Sequence, residues 1–134
     1  MERKTIEQNK EQRRDYAVLV GLRSPVLGAD SADEESLAEL KKLAEHPKCV
    51  AVGEIGLDYY WDAEHKDEQK ALFIRQIELA LELNKPVIVH DREAHGDCFD
   101  IVSRYHELRG VFHCYSGSAE MAAGLLKRGW YLGF

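Results

Sequence analysis

No two of the three cysteines, Cys49, Cys98 and Cys114, form a C-x-x-C pair, and their number is odd. That argues against a disulfide framework and suits a reducing, cytoplasmic setting. No apolar run is long enough to span a membrane, and no signal-peptide core opens the chain. Neither G-x-G-x-x-G nor G-x-x-x-x-G-K occurs, so the common nucleotide-binding loops are missing. A broad basic surface is missing as well, because the formal net charge is -6. A local contact with phosphate stays open, since a metal ion can bring the positive charge to it.

What is present suits a single globular domain. The chain has 134 residues, 45% of them hydrophobic and 31% charged, enough for a sizeable core. Residues 1–16 are polar and mixed in charge, which predicts a solvated arm or helix. From residue 17 onward, short runs rich in Val and Ile alternate with amphipathic segments. The runs are AVLV (17–20), CVAVGE (49–54), PVIVH (86–90), GVFHC (110–114) and a last WYLGF (130–134). Such runs suit strands buried on both faces of a parallel sheet.

The segments between them read as helices. In SADEESLAELKKLAEH, Leu37, Leu40, Leu43 and Ala44 share a face, Ser31 with Glu34 resembles a capping box, and Pro47 stops the helix. Over 64–83, Phe73, Ile77, Ala80 and Leu81 form one stripe. Asp97 is placed to cap a third helix that turns Phe99, Val102 and Tyr105 inward and ends at Gly110. Ser118 is placed to cap a fourth, with Gly129 at its end. The order β-α-β-α-β-α-β-α-β predicts an α/β fold of parallel strands with right-handed crossovers. A closed (β/α)₈ TIM barrel takes about 250 residues, so residues 17–134 correspond to about half of one.

Three strand-end residues carry ligand-type side chains: Glu54, His90 and His113. Each interval between them is compatible with one βα step, and parallel barrel strands bring their C-terminal ends to one rim. One carboxylate and two imidazoles make a partial shell for a divalent transition metal, or for Mg²⁺ when oxygens and water complete it. Taken singly, Glu54 reads equally as a solvated turn residue and the histidines as hydrogen-bonded core residues. Recurrence on three consecutive strands favours the metal. Arg92 could grip a phosphate oxygen or pair with Asp91 or Glu93. Ser116 opens the SGS stretch before a helix, which suits either an anion or simple capping. Asp58 could hold a ligand histidine or be a turn residue. Tyr59, Tyr60 and Trp61 could stack a base or lie buried under the next helix. Cys114 reads as packing, because neighbours on a strand face opposite sides and a Cys114–His113 pair would then be poorly placed.

GEIGLDYYWD, the following Q…F…Q…LA, PVIVHDREA and GVFHCYSGS resemble, in order and spacing, the TatD family of metal-dependent deoxyribonucleases. These are amidohydrolase-type TIM barrels, and the likeness runs from about Ser31 to Phe134. It implies a divalent-metal enzyme, with Mg²⁺, Mn²⁺ or Zn²⁺, that trims single-stranded DNA ends from the 3′ side. It implies that Glu54 bridges two metals and is catalytic, that His90 and His113 complete one metal site, and that Arg92 contacts phosphate. The family's H-x-H pair on the first strand occurs nowhere in this sequence, nor does its GxHP loop, where GLRSPVLGAD stands instead. Its late aspartate would lie beyond Phe134. The expectation is therefore a partial chain with impaired hydrolysis and open barrel edges that invite self-association. A non-catalytic βα scaffold, or a barrel hydrolase acting on amide or lactone bonds, is the alternative.

Overall fold

The computed structural model describes residues 17–19 and 30–134. The polar segment 1–16, Val20 and the GLRSPVLGA stretch lie outside the described residues. Five strands alternate with four helices: β1 Ala17–Leu19, α1 Asp30–Ala44, β2 Cys49–Asp58, α2 Lys66–Glu82, β3 Val87–Arg92, α3 His95–Val102, β4 Gly110–Phe112, α4 Ala119–Lys127 and β5 Tyr131–Leu132. All four pairings are parallel, and the strand order is β1-β2-β3-β4-β5.

That order decides the architecture. A doubly wound sheet reverses direction at a switch point, where its ligands bind. Here each strand joins the same side of its predecessor, the winding of a (β/α)₈ barrel. Register carries across the sheet: Val52 pairs with Val87, which pairs with Gly110, and Val89 pairs with Phe112, which pairs with Leu132. Gly110 begins β4 because nothing larger fits there. A Cβ on it would lie 2.1 Å from the Val87 carbonyl oxygen. It is thus a strand residue rather than the end of α3, which stops at Val102.

The core lies where α2 covers β2 and β3. Phe73, Gln76, Ile77 and Ala80, spaced i, i+3, i+4 and i+7, are the buried face of α2. They meet Val52, Leu57, Val87 and Val89 from the strands, with Ile101, Leu125 and Trp130 closing the later half. On α1, Leu40 and Ala44 are buried but Leu43 is 51% exposed. At 3.6 residues per turn Leu43 lies about 120° round the helix from Leu37, outside the stripe assigned to it from sequence. Arg75–Glu34 and Lys41–Glu82 ion pairs join α1 to α2 at the surface, where water screens them and they add little to stability.

Helix starts differ in detail from expectation. α1 begins at Asp30, one residue before Ser31. α3 begins at His95, so Asp97 falls inside its first turn and caps nothing. Tyr105 follows the helix rather than lying in it. Ser118 does cap α4, its Oγ accepting from the Met121 amide at 3.1 Å.

Phe112 is 1% exposed and meets Trp130 edge to face at 5.2 Å. Phe112→Ala is expected to lose about 3–5 kcal/mol, read as a lower urea midpoint with an unchanged slope.

Candidate metal centre

β2 does not end at Glu54, as the apolar pattern suggested, but runs on to Asp58. The pairing with β3 shifts between Gly53 and Ile55, and Glu54 stands at that irregularity with its side chain 43% exposed. The bulged strand therefore turns a carboxylate outward while Ile55 and Leu57 stay in the core. Gly56 then holds φ at 143°, and a Cβ there would collide with the His90 carbonyl oxygen. The two strands approach closely at His90, which lies within β3 rather than at its end, since the pairing continues to Arg92.

Glu54 lies between the two histidines. Its Oε2 is 3.7 Å from His90 Nδ1 and its Oε1 is 3.5 Å from His113 Nε2. Two donors each about 2.1 Å from one tetrahedral ion stand about 3.4 Å apart, so both spacings fit a cation shared between carboxylate and imidazole. The donor set suits a divalent ion. Among the described residues, however, no group of three His, Cys, Asp or Glu side chains is placed to hold one ion together; the two spacings are pairwise, Glu54 with each histidine in turn.

Asp58 fixes His90 from behind. Its side chain is 2% exposed, and Oδ2 lies 2.9 Å from His90 Nε2. A carboxylate accepts, so Nε2 donates to Asp58 and Nδ1 is the nitrogen turned toward Glu54. Oδ1 accepts from the amides of Tyr60 and Trp61 at 3.1 and 2.9 Å. Asp58 thereby serves both as the turn residue and as the histidine's anchor.

His113 and Cys114 follow β4 in a turn, with Cys114 at φ 49°. The alternation of strand neighbours does not apply there. Cys114 is exposed, not packed, and its Sγ lies 3.2 Å from His113 Nε2. Ser116 lies exposed in the loop leading to α4. Arg92 is exposed at the end of β3, and among the described residues no carboxylate pairs with it. Its guanidinium carbon sits 4.1 Å from the Tyr60 ring centre and 5.6 Å from that of Trp61.

Three supports have roles that the sequence did not give them. Gln69, in the first turns of α2, accepts from the Asp58 amide at 2.8 Å and donates to the Asp58 and Asp62 carbonyls at 3.2 and 2.7 Å. Asp91, adjacent to His90, is 5% exposed at its side chain and takes His95 Nδ1 at 2.8 Å. Tyr59 donates to Asp97 Oδ2 at 2.6 Å, and Lys70 Nζ lies 3.1 Å from the same oxygen. Burial, then the Asp97 hydrogen bond, pushes the Tyr59 phenol well up. The same bond, followed by Lys70, holds Asp97 below the usual carboxylate range. Burial and then nearby Asp91 raise the Cys98 thiol, so it stays neutral. The one legible signal for these supports was spacing: a glutamine one helical turn into α2 and an aspartate in the first turn of α3.

Five parallel strands joined in chain order through helices have the winding of part of a (β/α)₈ barrel, and the proteins this chain is similar to are metal-dependent hydrolases. The chain belongs to the TatD family: the family model described as TatD related DNase matches residues 3–134. It is 47% identical over 103 residues to the metal-dependent hydrolase YabD of Bacillus subtilis, covering 75% of this chain and 40% of that protein. It is 38% identical over 107 residues to the 3'-5' ssDNA/RNA exonuclease TatD of Cronobacter turicensis, covering 78% and 41%. The crystal structure of YjjV, a TatD homologue from Escherichia coli, superposes with a TM-score of 0.74 at 28% identity, over 93% of this chain and 49% of that one. The chain spans less than half the length of the curated relatives it matches. No helix of the described residues is long and apolar enough to cross a membrane.

Asp97 has a depressed pKa in the fold, so it adds stability above the ordinary carboxylate range and loses it as pH falls through the depressed value. In Tyr59→Phe the largest cause of that depression is gone. Asp97 is expected to titrate at higher pH in carboxyl-resolved NMR, and acid unfolding to lose part of its dependence on this group.

Proposed function

We propose that this chain carries one metal-binding half of a phosphodiesterase centre that removes nucleotides from single-stranded 3′ ends of DNA. One observation carries the reading: the Glu54 carboxylate faces His90 Nδ1 with one oxygen and His113 Nε2 with the other. The family and the exonuclease name of a relative at 38% identity support the substrate class.

Each residue has a stated task. Glu54 offers two oxygens and can therefore bridge, which makes it the central ligand and the catalytic carboxylate. His90 and His113 supply neutral nitrogens, and Asp58 keeps His90 in the tautomer that can bind. The divalent ion, Mg²⁺, Mn²⁺ or Zn²⁺, would activate water and offset charge on the phosphoryl oxygens. Arg92, two residues beyond His90 on the same strand, points to the same side of the sheet. Its flat face rests on Tyr60 and its N–H edges stay available for a phosphate oxygen. Ser116 and the amides before α4 add polar contacts at the far edge.

Calorimetric titration with Mn²⁺ is expected to show one ion bound per chain. Uptake should fall about ten- to hundredfold in Asp58→Asn and vanish in Glu54→Gln. Release of nucleotides from the 3′ end of single-stranded DNA should be slow, because the sequence has no H-x-H pair, and should stop on chelation. Ion uptake unchanged in Glu54→Gln, or nucleotide release that survives chelation, would overturn the reading. Turnover of amide or lactone substrates without phosphodiesters would give the centre to another chemistry.

A further inference from the structure

Four aromatic side chains stand exposed among the described residues, Tyr60 and Trp61 at 57% and 71% and Tyr131 and Phe134 at the last strand, and of these Tyr60 and Trp61 lie against Arg92. Such side chains are costly to hold in water, and a contiguous patch of them signals a contact. The patch is not loose. Asp58 Oδ1 receives both backbone amides. The two rings meet edge to face at 5.0 Å, and Arg92 lies over Tyr60. The turn is therefore anchored to the same buried carboxylate that orients His90.

We propose that Trp61, backed by Tyr60, is a stacking platform for a nucleobase of the bound single strand. Arg92 lies over both rings and follows His90 by two residues on β3, so one guanidinium can take a phosphate while the base beside it lies on the indole. Charge and shape both favour this occupant. The patch joins a cation with no carboxylate partner among the described residues to exposed aromatic faces, and a single strand offers an anion next to a flat ring at each nucleotide. A stack on an indole accepts any base and favours a strand whose bases are unpaired. Duplex ends are thereby disfavoured without any base-specific hydrogen bond.

The inference rests on the nuclease reading, but its test separates the two. Trp130 is 3% exposed, so quenching of tryptophan fluorescence by an added strand reports Trp61. In chelator, where no hydrolysis occurs, a short oligothymidylate is expected to quench, and an abasic strand of the same length to bind about tenfold more weakly. In two variants that lack the Trp61 fluorophore, binding is read instead from the anisotropy of a dye-labelled strand: Trp61→Ala should lose that preference for bases, and Trp61→Phe should keep most of it. Both variants should unfold at the wild-type midpoint, as the side chain is exposed. Equal affinity for thymidylate and abasic strands, or an unchanged preference in Trp61→Ala, would overturn the platform and leave the patch to a protein surface. Hydrolysis of bis(4-nitrophenyl) phosphate reads the metal centre alone. Its loss with the base preference intact would sink the hydrolase reading and not this one.

Discussion

The arrangement of the site depends on one buried carboxylate. Asp58 is 2% exposed at its side chain and takes a histidine ring through one oxygen and two backbone amides through the other. A buried carboxylate left without donors costs several kcal/mol, so the end of β2, the turn after it and the His90 ring are constrained together. Gln69 closes the same turn from α2 by bonding the Asp58 backbone on both sides. Move the turn and the imidazole moves with it. The His90 ring and the exposed aromatic pair thus share a single anchor.

The sheet supplies the rest. Strands that join in chain order, all parallel, place the ends of β2, β3 and β4 side by side. Glu54 reaches this rim by a pairing irregularity, His90 by the extension of β3 to Arg92, and His113 by the turn that ends β4. Three local devices therefore serve one geometric end. The outer shell is ionic and cheap: Asp97 joins Tyr59 to Lys70, and Asp91 joins β3 to His95. These contacts tie the strand ends to the first turns of α2 and α3, where the barrel helices meet the rim.

Much of the fold was legible because parallel strands buried on both faces leave a continuous apolar signature and α2 leaves a 3.6-residue one. Phe73, Ile77 and Ala80 fell where the period put them. The ligand-type residues were visible because each interrupts an apolar run. Errors arose where local rules gave way to tertiary ones. Glu54 was read as a strand end, but β2 continues past it because Ile55 and Leu57 still have a core to enter. Leu43 was read as core, yet α1 presents only a narrow stripe to the sheet. Cys114 was read as a packed strand residue, but β4 stops at Phe112 and the backbone turns at Cys114. Asp97 was read as a cap, and instead answers a tyrosine from the β2–α2 turn.

By itself the sequence determined the alternation of elements, the parallel character of the strands and where ligand-type side chains interrupt the apolar runs, because periodicity and residue chemistry are local properties. Only the tertiary structure decided which nitrogen of His90 faces Glu54, that Asp58 is both turn and anchor, and that Tyr60 and Trp61 stand in solvent against Arg92. Those outcomes depend on distances between segments far apart in the chain. Such distances are set by how the strands pair and how α2 packs on them.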